Sequence, residues 1–255
     1  MNVLHALQTR AAPFVALRRD LHRHPELGLQ EFRTSQVLAE QLESWGYRVT
    51  RGLATTGLVA QLKRGSGGKR LGLRADMDAL PIHETNDFEH CSLHAGVMHA
   101  CGHDGHTAML MAAAQYIAQE VEFSGTLNLI FQPAEEHPGG AQIMIKEGLF
   151  ERFPCDAIFA AHNMPGVAAG ELVFIEGPAM ASSDDVTITL TGVGGHGAMP
   201  HRAQDPIVAA AAIVMTLQTI VSRNVDPQHT AVITVGSLVA GKANNVIPAS
   251  ARLEL

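Results

Sequence analysis

Three stretches decide the fold: RLGLRA at Arg70–Ala75, TAMLMAAAQYI at Thr107–Ile117 and TLNLIF at Thr126–Phe131. The outer two are short apolar runs, as strands are; the middle one has the length and apolar spacing of a packed helix. Strand, helix and strand in that order form the unit that builds a parallel sheet. Working outward, strand patterns recur at Gly57–Leu62 and Ala157–Ala161. Helical spacing covers Val3–His24, Thr34–Trp45 and Ala141–Glu147, and Gly46 supplies a stop after Trp45. The expectation is an α/β fold whose first domain, residues 1–178, holds a largely parallel sheet.

The pattern changes at Glu176–Ser183, a run of small and turn-forming residues that reads as a linker. Beyond it, Val186–Leu190 and Ala231–Leu238 read as strands around a helix at Pro206–Val221. This predicts a smaller α+β domain over residues 179–255, incomplete because Ser250–Leu255 looks like a strand cut off in progress.

Composition narrows the function. A length of 255 residues allows one large or two modest domains. The net charge of -7, with no block of Lys or Arg, would repel a phosphate backbone, so no nucleic-acid partner is expected. Cys91, Cys101 and Cys155 make no disulfide framework, and Arg10, Arg18 and Arg19 interrupt the N-terminal stretch where a secretory leader would be apolar. A reducing, cytoplasmic setting is therefore expected. The longest apolar segment, Ile207–Val221, is broken by Thr216 and Gln218 and reads as a packed helix, so no membrane partner is expected.

Eight of the 14 histidines lie between His83 and His162, with acids among them. Three groups carry the chemistry. RADMDALP (74–81) ends a strand, MHACGHDGH (98–106) precedes a helix, and FQPAEE (131–136) ends another strand, with His162 at the end of the next. Ligands in open α/β sheets gather at the carboxyl ends of strands. That rule puts Asp76, Asp78, Glu135, Glu136 and His162 on one rim beside Cys101 and His103. Thiolate, imidazole and carboxylate together are the donor set of a transition-metal site, with zinc the simplest case. Blander readings stand beside this one. Cys101 could be a small buried hydrophobe and Glu135–Glu136 a solvated pair, while Asp76 and Asp78 could simply end a strand. His103 and His106 could cap or pack the helix start, and His106 is read that way; His22 and His24 are read as structural. GVGGHG (192–197) fits a dinucleotide fingerprint, but AMPH follows it where a helix should start, so that reading is rejected.

Taken together, DLHRHPEL (20–27), RADMDALP (74–81), CGHDGHTA (101–108), QPAEE (132–136) and NNVIP (244–248) resemble the M20 metallopeptidase superfamily. The similarity is to its amidohydrolase branch, which includes hippurate hydrolases and N-acetyldiaminopimelate deacetylases. The resemblance implies two divalent metal ions (Zn, Mn, Co or Ni), with Cys101 bridging and His103, Glu136 and His162 as terminal ligands. It implies Glu135 as general base, His196 as a histidine presented from the lid domain to a partner subunit, and Asn245 as a substrate-binding residue. Asp76 or Asp78 would orient a ligand imidazole. The implied activity is hydrolysis of a small N-acyl amino acid by a homodimer, with hippurate the leading substrate. A peptidase of the same superfamily or an inactive metal-binding fragment are the alternatives. Members usually continue further and supply one more metal-binding histidine, so a truncated chain is expected.

Overall fold

The computed structural model describes residues 3–177 and 180–255 and divides into two units, Met1–Glu171 and Leu172–Leu255. The domain boundary expected at 178/179 falls on residues outside that described set.

The first unit runs α1 (Val3–Thr9), α2 (Ala11–Arg23), α3 (Phe32–Ser44), β1 (Arg48–Leu53), β2 (Gly57–Arg64) and β3 (Arg70–Asp76). It continues with α4 (His103–Glu120), β4 (Gly125–Gln132), α5 (Gly140–Lys146), α6 (Leu149–Arg152) and β5 (Ala157–Ala160). Helix α2 buries Phe14, Leu17 and Leu21, a three-then-four spacing that keeps them on one face. Helix α3 does the same with Leu38 and Leu42. Helix α4 is buried on much of its circumference, from His103 and Thr107 through Met111 and Ala114 to Tyr116, and so lacks a clear polar face. Its last carbonyls are held by the Arg64 guanidinium, which donates to Ile117 (3.4 Å), to Ala118 (2.5 Å) and to Val121. A cation there also suits the negative end of the helix dipole.

The five strands order as β1-β2-β4-β3-β5. Only β3–β4 and β3–β5 are parallel; β1–β2 and β2–β4 are antiparallel. The largely parallel sheet expected above is therefore corrected to a mixed one. The cause is local. Arg48–Leu53 is itself a strand, and Ala54 and Thr55 take left-handed backbone (φ 47 and 70°), folding β1 onto β2 as a hairpin. A tight hairpin can only be antiparallel, whereas the crossover through α4 makes β3 and β4 parallel.

Alternating residues face two cores. Leu58, Ala60, Leu127, Leu129 and Phe131 meet α2, α3 and α4, while Val59 and Ile130 meet Leu53, Met144, Leu149 and Phe153 on the other face. Each of the Leu, Val, Ile, Phe and Met side chains among them, fully removed from water, contributes about 1.5–3 kcal/mol.

The second unit contains β6 (Thr187–Thr191), β7 (Gly195–His196), α7 (Pro206–Thr219), β8 (Ser237–Ala240), β9 (Val246–Ile247) and β10 (Ser250–Glu254). Its three-stranded sheet, β6-β10-β8, is antiparallel throughout, and β7 pairs antiparallel with β9. Strand β8 starts at Ser237 rather than Ala231 because its ladder begins opposite Glu254, where β10 ends. Helix α7 starts on a capping Asp205, whose Oδ1 accepts from Ile207 N (2.9 Å), with Pro206 in the first turn. It contributes Ala210 to a small core with Ala251 and Leu253, while Val208 and Met215 stay exposed. By length and composition alone, Pro206–Asn224 is apolar enough to cross a bilayer (mean hydropathy 1.5).

Candidate metal centre

The parallel part of the sheet is what builds the site. Strands β3, β4 and β5 point the same way, so the residues following each arrive on one rim: Asp76 and Asp78, then Glu135 and Glu136, then His162. Helix α4 enters the same rim with its first residue, His103, behind the loop that carries Cys101.

His103 is the hub. Its ring is wholly buried, and Nδ1 donates to Asp78 Oδ1 (3.1 Å). In the neutral ring that bond leaves the lone pair on Nε2, which has no hydrogen-bond partner among the described residues. Glu136 Oε1 lies 3.9 Å from Nε2 and Asp76 Oδ2 3.8 Å from it, both too far to bond it. The donor atoms of Cys101, His103 and His162 lie within 4.8 Å of one another, and so do those of His103, Glu135 and Glu136. Asp76, His103 and His106 form a third such group, and all three share His103.

The supports are bonded in turn. Asp78 Oδ2 accepts from Glu136 N (3.0 Å), so one carboxylate orients two candidate ligands. His162 Nδ1 donates to the Asn163 carbonyl (2.6 Å), which directs Nε2 toward Cys101 Sγ at 3.5 Å. The Asn163 amide donates to the Cys101 carbonyl (3.2 Å), tying the two loops together. Gly102 makes room for this at φ 90°, since a Cβ there would sit 2.6 Å from Asn163 Oδ1. Asp76 accepts from His106 Nδ1 (2.6 Å) and Arg74 (2.7 Å), and His106 Nε2 accepts from Asn163 N (3.0 Å).

Electrostatics follow from this geometry. Burial alone would raise the Asp76 carboxyl, but the His106 hydrogen bond and Arg74 prevail and hold it at about 2. Asp78 is likewise held below the usual range, against burial, by His103 and by the backbone of Glu136 and Glu135. Burial, reinforced by Glu136, pushes the Cys101 thiol up to about 12. A thiol ringed by carboxylates, beside a buried imidazole nitrogen with nothing to accept, fits a divalent cation. Zinc–nitrogen and zinc–oxygen bonds of about 2.0–2.2 Å together reach across the gap from His103 to Glu136.

The expected ligands Cys101, His103, Glu136 and His162 come together here with Glu135, Asp76 and Asp78. His196 and Asn245 lie in the second unit, where His196 pairs opposite Val246 and Gly197 N donates to the Asn245 carbonyl (2.8 Å). His196 Nδ1 accepts from Ala198 N (3.1 Å), which puts the ring proton on Nε2 of this exposed histidine. Sequence reasoning missed Asn163 and gave His106 only a packing role. Both show their purpose only when β5 closes on β3.

Comparison with known proteins places the chain beside metal-dependent and amide-cleaving relatives, and the matched range includes residues 76–163. A family model described as "Peptidase family M20/M25/M40" matches residues 72–246. A hippurate hydrolase of Campylobacter jejuni is 46% identical over 255 residues, covering 100% of this chain and 66% of the relative. An N-acyl-L-amino acid amidohydrolase of Geobacillus stearothermophilus is 43% identical, covering 94% of this chain and 65% of its own length. Among solved structures, a dinuclear metal binding peptidase of the M20 family from Bacillus subtilis superposes with a TM-score of 0.69. It is 35% identical and covers 98% of this chain and 64% of that one. The chain thus spans just under two thirds of the length of these relatives.

Proposed function

The chain belongs to the M20/M25/M40 peptidase family, and on that premise we propose that it serves metal-dependent hydrolysis of the amide bond of N-acyl amino acids, hippurate-type compounds foremost. The observation that carries this is the wholly buried His103, whose Nε2 lacks a hydrogen-bond partner among the described residues while donor atoms of Cys101, His162, Glu135 and Glu136 lie within 4.8 Å of its own. The amide substrates named for the relatives at 46% and 43% identity favour an amidohydrolase over a peptidase.

Cys101, His103, Glu136 and His162 would hold two divalent ions, which supply Lewis-acid polarisation of a carbonyl and lower the pKa of water to about 7. Glu135 would take a proton from an attacking water, a role supported by its carboxylate oxygen lying within 4.8 Å of donor atoms of His103 and Glu136. The same carboxyl then returns that proton to the departing amine, so that the amine leaves neutral. Asp78 keeps His103 and Glu136 aimed inward throughout. His196 carries its proton on Nε2, the form that donates to a carbonyl oxygen gaining charge, and Asn245 beside it would contact substrate. The reading carries with it a homodimer, and the three free thiols support a reducing, cytoplasmic setting.

The test is metal content together with hydrolysis of hippurate and N-acetyl amino acids, with and without chelator. Chelator-sensitive turnover is expected. Glu135→Gln should keep its metal and lose nearly all turnover, and near-normal turnover in that variant would refute the assigned base. Turnover that survives complete metal removal would refute the metal-dependent reading.

A further inference from the structure

Glu31 is a fully buried carboxylate that the hydrolysis scheme does not use. It stands at the N-cap position of α3 yet makes no capping bond to that helix. Glu26 caps the helix instead, accepting from Arg33 N (2.9 Å) and Thr34 N (2.8 Å). Glu31 turns away. Its Oε2 accepts from Thr56 Oγ1 (2.5 Å), on the turn between β1 and β2, and its Oε1 accepts from Ala134 N (2.9 Å).

Ala134 is the unusual partner. It is wholly buried and left-handed at φ 48°, a conformation that L residues other than glycine adopt at a cost. The surroundings leave it no room to relax. Its carbonyl accepts from Gly140 N (2.7 Å) and Gly139 N (3.2 Å). A Cβ at Gly28 would lie 2.9 Å from Ala134 Cβ, and one at Gly140 only 1.9 Å from the Pro133 carbonyl oxygen. The next two residues are Glu135 and Glu136. Backbone strain held by several independent contacts beside reactive groups is a mark of pre-organisation.

We propose that Glu31 is a positioning residue: it fixes the left-handed turn at Ala134 and so sets the direction in which Glu135 and Glu136 enter the metal centre. The proposal rests on the metal reading above. Glu31 and Asp78 act as a pair, one holding the backbone N–H two residues before Glu136 and the other holding that of Glu136 itself. Substrate never touches Glu31. Its influence passes through the turn.

The test uses the full chain and Co(II), with affinity measured by competition against a chromophoric chelator and folding checked by urea unfolding. Glu31→Ala should weaken Co(II) binding about 10-fold, the lower end of what loss of a ligand's supporting partner costs. Glu31→Gln should stay within about 3-fold. Its amide oxygen can accept from Ala134 N while its NH2 donates to Thr56 Oγ1. Adding Ala134→Gly to Glu31→Ala should recover part of the loss, because glycine takes a positive φ without strain. Thr56→Val, a milder change if Glu31→Ala does not fold, should weaken binding in the same direction by about 3-fold. Wild-type affinity in both Glu31→Ala and Thr56→Val would overturn the proposal, as would a Glu31→Gln loss equal to that of Glu31→Ala. A merely structural role would lower the urea midpoint with no recovery of affinity from Ala134→Gly. Glu136→Gln separates the two levels of inference: if it binds Co(II) normally, the metal reading falls and this proposal with it. If Glu136→Gln fails to bind while Glu31→Ala binds normally, only the positioning role is lost.

Discussion

Asp78→Asn removes one charge and one acceptor while leaving the volume almost unchanged. In the native site Oδ1 receives the His103 Nδ1 proton (3.1 Å) and Oδ2 receives the Glu136 N–H (3.0 Å). Asparagine offers a single acceptor oxygen, so one of these donors must face its NH2 group. Leaving a buried donor unsatisfied costs about 1–3 kcal/mol. Most of that cost falls on the metal-competent arrangement, because either His103 turns its Nε2 or the Glu135–Glu136 backbone backs away. Metal affinity should therefore fall about 10–100-fold, the range found when a ligand's carboxylate partner is removed. The assay is competition for Co(II) or Zn(II) against a chromophoric chelator at fixed pH, on protein shown to be folded. Affinity within about 2-fold of wild type would refute the idea that Asp78 orients both ligands. The same substitution bears on acid stability. The folded pKa of Asp78 is depressed, so its contribution is present above the unfolded value of about 3.9 and is lost as pH falls through the folded value. Asp78→Asn should flatten the acid limb of the stability curve.

Away from the rim, His22 donates toward Asp104 Oδ2 (2.9 Å) and Glu84 Oε1 (3.1 Å), and chiefly the Asp104 bond raises its pKa against burial. A raised histidine stabilises fully below its unfolded value of about 6.5, and that stability is lost as pH rises through the folded value. His22→Gln should remove this decline from urea unfolding followed by the single tryptophan, Trp45, and an unchanged slope above neutrality would count against it. Leu129→Ala, at a site with no exposure in the central strand, should cost about 2–5 kcal/mol. A loss under about 1 kcal/mol would mean that the core collapses around the gap. Tyr47→Phe deletes the hydroxyl that donates to the Ala114 carbonyl (2.9 Å) inside the core, and should cost about 1 kcal/mol by the same measurement.

The residues of the metal centre were legible because their chemistry is concentrated in short segments at strand ends, and the strand-end rule applies where β3, β4 and β5 are parallel. The rest of the sheet was not legible in the same way. Arg48–Leu53 carries two arginines and Gly52, so it lacks the apolar signature of a strand. It becomes one because Ala54 and Thr55 turn it back onto β2. Missing it hid the β1–β2 hairpin, while β2, legible as a strand, gave no sign that it runs antiparallel to β4. Helix α4 begins four residues earlier than its apolar run, because His103–His106 is polar yet buried. No local pattern in LQEFRT marks Glu31 as a carboxylate whose partner Ala134 lies 103 positions away. His106 and Asn163 have the same explanation: their roles exist only across the fold.

Every donor in the centre, and the side chains bonded directly behind them, comes from residues 74–163. The intervening chain is folded into α4, α5 and α6, so the loops that must close are shorter than the residue count suggests, and closure entropy grows only slowly with length. Low sequence separation favours early contact formation. The kinetic consequence is an order of assembly that starts in the middle of the chain, with the ligand-bearing crossover gathering first. The tie from Glu31 to Ala134 spans 103 positions against 58 for Asp78 to Glu136, so it is expected to close after the centre. Pulse-labelled hydrogen exchange should find the amides of β3, β4 and α4 protected before the Ala134 amide.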